Sequence, residues 1–182
     1  GLWNVTPETG VLDVLPQDYT FFSALADELD NSLQAVWELS PDKSRLICVD
    51  MDNTAGKLTI FDTGKGMDST PERSISKWGT IGSSTSRNVL SDAVGGPPPY
   101  LKPWFGMYGF GGIGAGLHLG GKILVSSKTR ASKTVAMLQI DKLSLEKEVT
   151  AGKLWQVWST GGGFRDPDDK ELHLSPHGSF TK

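Results

Sequence analysis

Ala24-Leu25-Ala26-Asp27-Glu28-Leu29-Asp30-Asn31-Ser32-Leu33-Gln34-Ala35 is the stretch that decides how this chain is read. It lies inside a helical pattern expected over residues 18–38. Within it Phe22, Leu25, Leu29, Leu33 and Val36 recur at three- and four-residue steps and form one apolar stripe. A helix turns about 100° per residue. Asp27 and Asn31 are therefore neighbours on a face opposite that stripe, flanked by the small residues Ala24 and Ala35. An amide oxygen can ligate Mg2+ and a carboxylate can orient a water, so this face holds the parts of a metal-and-water site. The same pattern also fits a solvated helix face. Pro41 helps to stop the helix.

Downstream, residues 44–50 are a β-rich run, Asn53-Thr54-Ala55-Gly56 is a turn signal and residues 57–61 are a second strand, so a hairpin is expected. The strand leads into Ile60-Phe61-Asp62-Thr63-Gly64-Lys65-Gly66-Met67. A carboxylate at a strand end accepts a hydrogen bond from an exocyclic amine such as that of adenine. Glycines at alternate positions let the backbone approach a flat ligand closely. An ordinary turn would have the same look. Residues 67–105 are serine-rich and contain Gly95-Gly96-Pro97-Pro98-Pro99; apart from a short helix near 72–78 they read as a loop, either a lid or an insertion. Tyr108-Gly109-Phe110-Gly111-Gly112-Ile113-Gly114-Ala115-Gly116 then opens a short helix through Leu119. Bare amides before a helix N-terminus make a nest for anions. The run is not a P-loop, because no Gly-Lys-Ser/Thr ending follows, and it lacks the context of a dinucleotide fingerprint. Residues 122–128 and 133–140 alternate like paired strands, residues 155–159 suit another strand, and the tail from Gly161 is glycine-rich and charged.

Composition sets the frame. The chain has 182 residues, enough for one domain with its own core, and a net charge of −3 with pI near 5.6. That balance argues against this domain alone gripping nucleic acid by neutralising phosphates. No stretch reaches the apolar length that spans a bilayer, so no membrane partner is expected. The single cysteine, Cys48, sits in an apolar run and reads as a small core residue in a reducing compartment. With no secretory leader visible, an intracellular protein is expected. His118, His173 and His177 lack metal-ligand spacing, Trp155 and Trp158 read as core or interface residues, and residues 128–133 read as a solvated basic hairpin tip.

Taken in order, an acid–amide helix, a strand ending in Asp-x-Gly-x-Gly, a long variable segment, a glycine-rich loop and paired strands with a threonine resemble the GHKL superfamily of gyrase, heat-shock chaperones, histidine kinases and MutL. The likeness spans roughly residues 15–140. Tyr108-Gly109-Phe110-Gly111-Gly112 and Ser76-Lys77-Trp78-Gly79 look most like the MORC and SMC-hinge-containing branch, which acts in chromatin silencing and DNA repair. The resemblance implies an α+β two-layer sandwich of the Bergerat type, with a mostly antiparallel sheet covered on one face by helices. It implies an ATP-binding domain over residues 17–160, with a lid at 67–105, a lead-in at 1–16 read as extended, and a tail at 161–182 leading towards a transducer domain. ATP and Mg2+ are the implied ligands. Asn31 takes the metal, and Asp27 or Glu28 handles the attacking water. Asp62 reads adenine with Gly64, Gly66 and Met67 beside it, and Thr134 supports that contact. Gly109, Phe110, Gly111, Gly112, Ile113, Gly114, Ala115 and Gly116 hold the phosphates. Slow hydrolysis with closure and homodimerisation on ATP binding is the implied activity, in a nuclear protein that meets nucleic acid through other domains. Two departures from the family pattern stand out. Asp27 occupies the family's glutamate position, one methylene short, which leaves a nucleotide-binding scaffold without useful turnover as the alternative. Ile113 stands where related loops carry lysine, so that Lys102, Lys122, Lys128 and Arg130 become candidates for its charge.

Overall fold

A computed structural model describes residues 10–37, 39–70, 74–78, 111–150 and 163–174. A helical turn, α1 (Val11–Val14), comes first, so the described part of the lead-in is not extended: the Gly10 carbonyl accepts the N–H groups of Asp13 and Val14. Helix α2 (Phe21–Trp37) follows. Its start is fixed by a reciprocal cap. Thr20 Oγ1 accepts the Ser23 N–H at 3.1 Å, and Ser23 Oγ accepts the Thr20 N–H at 2.8 Å. Two N–H groups that the helix cannot pair are thereby satisfied.

The hairpin forms as its turn residues require. Strand β1 (Ile47–Asp52) pairs antiparallel with β2 (Lys57–Asp62), from Ile47 opposite Asp62 to Asp52 opposite Lys57. Asp52 Oδ1 accepts the N–H groups of Thr54 and Ala55, and Gly56 takes a left-handed φ of 59°. Cys48 on β1 is half-buried, not a core residue, because the hairpin lies at the edge of the fold.

After the short helix α3 (Ile75–Trp78) comes α4 (Gly111–Leu119), which leads through Gly120-Gly121 into β3 (Lys122–Ser127). Strand β4 (Val135–Asp141) pairs antiparallel with β3 along its length. Helix α5 (Lys142–Thr150) starts directly from β4, in a stretch to which the sequence reading assigns no element. The charged tail contributes β5 (Gly163–Arg165), antiparallel to β4, and the helix α6 (Asp169–Leu174). Among the described residues the strands thus form a two-stranded and a three-stranded antiparallel sheet. The expected strand at 155–159 lies outside the described residues.

Helices cover the strands, giving the expected α+β layering: α2 packs on α4 and β2, and α4 on β3. The core gathers Ile113, Leu117 and Ile140, with Trp78 and Ile123 against them. The buried face of α2 is Ala24, Ser32 and Val36, not the whole apolar stripe. Phe22 is 79% exposed and Leu33 is 41% exposed. The bare backbone of α4 lets α2 come close on its polar side, where Gly111 borders Asp27 and Gly116 borders Glu28; of the stripe, Val36 is buried and Leu25 and Leu29 are half-buried. No helix among the described residues is long and apolar enough to cross a membrane.

Candidate functional site

Helix α2 is the element that joins the sequence motifs. Its Ser32 side chain hydrogen-bonds the Asp62 carboxyl at the end of β2, and Asp62 Oδ1 also accepts the Gly64 N–H at 2.8 Å. Burial holds the Asp62 carboxyl above the usual carboxylate range, against the pull of those two hydrogen bonds. Past Asp62 the chain presses on its neighbours. A methyl at Gly64 would lie 2.5 Å from Ala35 Cβ, so that turn sits directly on α2. Gly66, with φ 71°, lies against the backbone of Lys128 and Thr129. The Met67 N–H then donates to Ser127 Oγ at 2.7 Å, fastening the segment to the end of β3. Thr134 is half-buried at the residue before β4, and no hydrogen bond among the described residues joins it to Asp62.

The glycine segment divides into two uses. Gly109 and Phe110 lie outside the described residues. Gly111 begins α4, so the first amides of the helix, through Ile113, have no partner within it. Gly114, Ala115 and Gly116 lie deeper in the helix, where the i→i−4 pattern takes up their N–H groups. Their smallness serves packing: Gly114 faces the Tyr19 ring and the Leu15 carbonyl, and Gly116 faces Ile123 and Glu28. Gly112 lies under the Trp78 ring, which pins the first part of the expected lid into the core. The Ile75 N–H reinforces this by donating to the Asp68 carbonyl at 2.8 Å. Residues 79–105 of that lid lie outside the described residues.

The two acids of α2 face different surroundings. Asp27 lies beside the first turn of α4: a methyl on Gly111 would be 3.2 Å from Asp27 Oδ2. The Tyr19 hydroxyl donates to that same oxygen at 2.6 Å. Burial, the bond to Asp27 and the charges of Asp27 and Glu28 push the Tyr19 hydroxyl up to about 12. Glu28 faces α4 further along, at Gly116. Its Oε1 is buried without a hydrogen-bond partner and lies 3.4 Å from where a Gly116 side chain would stand. Its carboxyl takes a hydrogen bond from the Asn31 side chain. Burial pushes Glu28 up to about 7, the Asn31 bond opposes this, and the Asp27 charge adds to it.

Among the described residues no three His, Cys, Asp or Glu side chains converge into a cage for a metal. An amide oxygen such as that of Asn31 is a ligand type that Mg2+ accepts when it keeps most of its waters and shares the phosphates of a ligand.

The basic hairpin tip departs from expectation. Lys128 is only 2% exposed, and Thr129 is buried with it, because the turn folds over Gly66. Lys128 Nζ donates to the Thr129 carbonyl at 3.3 Å, and burial holds its amine below the usual lysine range. This places Lys128 at the Asp62 end of the site, not at α4. Arg130 is exposed in a surface cleft with Asp42, Lys43 and Ser44, Lys122 is exposed at the start of β3, and Lys102 lies outside the described residues. His118 is exposed, its Nδ1 in a hydrogen bond with the Pro16 carbonyl. Tyr19, Ser32 and Ser127 are the site residues that sequence reading missed. Ser32 alone carried a signal, four residues after Glu28 on the face that turns inward.

The family model for histidine kinase-, DNA gyrase B- and HSP90-like ATPases matches residues 19–159, and the chain belongs to that family. It is also similar to the structural maintenance of chromosomes flexible hinge domain-containing protein GMI1 of Arabidopsis thaliana, at 46% identity over 206 aligned residues. That alignment covers 100% of this chain and 13% of the relative's length.

Proposed function

We propose that this chain binds ATP with Mg2+ and hydrolyses it slowly, as the nucleotide module of a longer nuclear protein that works on chromatin in gene silencing or DNA repair. The observation that supports the reading is the convergence on α2: Asp27 meets the first turn of the glycine helix while Ser32 holds Asp62. On this reading Asp62 accepts the adenine amine, with Gly64, Gly66 and Met67 packed beside the ring and Thr134 in support. The first amides of α4, from Gly111 to Ile113, receive the phosphates together with the glycine run that leads into them. Asn31 holds Mg2+, which draws charge from the phosphate oxygens when bound. Asp27 orients the attacking water, since it and not Glu28 borders the first turn of α4. ATP binding closes the 67–105 lid over the nucleotide and drives two copies together. Nucleic acid is met through other parts of the full-length protein, a setting to which the hinge domain in the relative's name lends support.

A second reading is favoured by one contact. The Tyr19 hydroxyl occupies the Asp27 oxygen nearest Gly111, and aspartate is shorter than the family's glutamate. Reactions are sensitive to such placement, with small misplacements worth about a hundredfold. A nucleotide-binding scaffold with little turnover follows.

Calorimetry with ATP and Mg2+ tests the common part: no heat and no thermal shift at millimolar ATP would discard both readings. Phosphate release then separates them. Asp27→Ala should lower a measurable rate by about 100-fold or more while leaving ATP affinity intact. An unchanged rate would remove Asp27 from the chemistry.

A further inference from the structure

Glu28 is the buried acid that the proposed chemistry does not use. It lies on the side of α2 turned to α4, its Oε1 against Gly116 and without a hydrogen-bond partner, with an Asn31 hydrogen bond on its carboxyl. Asp27, one residue earlier, borders the first turn of α4 in its place. A carboxylate only accepts hydrogen bonds, whereas a carboxamide has a donating edge and an accepting edge. Against a carboxylate Asn31 therefore turns its NH2 edge to Glu28 and leaves its oxygen facing away.

We infer that Glu28 is a positioning residue that fixes the flip of the Asn31 amide, so that the oxygen and not the NH2 group is offered to the Mg2+ of a bound nucleotide. The inference rests on the nucleotide site proposed above and adds to it a residue that acts only through Asn31. Partners of this kind, standing behind a metal ligand, commonly change metal affinity by about 10- to 100-fold.

The test measures ATP affinity by calorimetry twice, in EDTA and in Mg2+, for the wild type, Glu28→Leu, Asn31→Ala and the double variant. The readout is the ratio of the two dissociation constants, the gain that Mg2+ confers. Glu28→Leu should reduce this gain by about 10-fold or more and leave ATP affinity in EDTA unchanged. In the Asn31→Ala background it should have no further effect, because a residue acting through Asn31 has nothing left to position. A structural role would instead weaken binding in both conditions, or add to the Asn31→Ala effect, and either result overturns the inference. Should Glu28→Leu not fold, Glu28→Gln replaces it. Glutamine presents either edge to Asn31 and should lose part of the gain; a fully retained gain overturns the inference as well. If the wild type binds no ATP in either condition, the nucleotide site itself is wrong, an outcome distinct from binding with a gain that ignores Glu28.

Discussion

Two glycines with nearly the same backbone conformation allow the packing of the Asp62 segment to be measured apart from its strain. Gly56 has φ 59° and Gly66 has φ 71°, both left-handed. An alanine at either pays roughly 1–2 kcal/mol for that conformation. Each recovers about 0.4–1 kcal/mol by restricting the unfolded chain. These terms cancel in a comparison. The surroundings do not. A methyl at Gly56 meets nothing within 4 Å, while one at Gly66 overlaps the Lys128 carbonyl oxygen and stands 2.7 Å from its carbon. Those are backbone atoms, and Lys128 is itself buried, so relief requires moving the Gly66–Met67 segment or the β3–β4 turn. Overpacking of this kind typically loses about 1–3 kcal/mol. Gly66→Ala should therefore unfold at lower urea than Gly56→Ala, by a difference of about 1–3 kcal/mol at equal m-values, within a total of roughly 5–15 kcal/mol. It should also weaken ATP binding, whereas Gly56→Ala, in the hairpin turn, should leave it unchanged. Equal stability of the two variants would refute the close approach between the Asp-x-Gly-x-Gly segment and the β3–β4 turn.

Asp62→Asn sets stability against binding. Burial raises the Asp62 carboxyl, so the folded chain takes up a proton at a higher pH than the unfolded chain does, and folded stability from this group grows as pH falls towards the unfolded value. At neutral pH the buried charge is destabilising, and the variant should melt higher than wild type without nucleotide, with the gap closing as pH is lowered; melts across about pH 5–8 decide it, and a gap that widens on acidification reverses the sign. The same variant should lose ATP affinity. Tyr19→Phe removes the 2.6 Å hydrogen bond to Asp27 and should lower stability by about 1–2 kcal/mol in urea denaturation while sparing ATP affinity. Unchanged stability would mean that the hydroxyl does not hold Asp27.

Local signals made the element types readable. The hairpin appeared because Asn53-Thr54-Ala55-Gly56 supplies both an Asx-type start after Asp52 and a left-handed residue at its end. Helix α4 appeared because Leu119 is followed by Gly120-Gly121, and β3 and β4 because their alternation is clean. What stayed hidden depends on tertiary partners. Lys128 reads as solvated from its neighbours in sequence, and only the arrival of Gly66 buries it. Ser127 becomes part of the Asp62 segment through a bond across 60 residues, and Tyr19 reaches Asp27 from outside the helix. No spacing rule links such positions. The tail at 163–165 joins the sheet by pairing with β4, although a three-residue strand carries too little alternation to register.

The divided burial of α2 has a physical cause that extends to reading helices of this kind. Periodicity states where apolar residues cluster, but burial goes to whichever face permits the closest approach. The partners here are backbones bared by glycine: Gly111 and Gly116 of α4 come against Asp27 and Glu28, Gly64 comes against Ala35, and Ser32 meets Asp62. That close approach is also what carries Asp27 to Gly111 and Ser32 to Asp62, so the packing requirement and the site requirement select the same face. Of the stripe only Phe22 and Leu33 are exposed; Phe22 stacks edge-on against Phe21, and nearby Trp37 lies beneath the Arg45 guanidinium at 5.6 Å. Enlarging Ala24 or Ser32, both buried, to satisfy the hydrophobic pattern would overpack the face that holds Asp62 and carries Asp27, and would disturb the site before it improved the core.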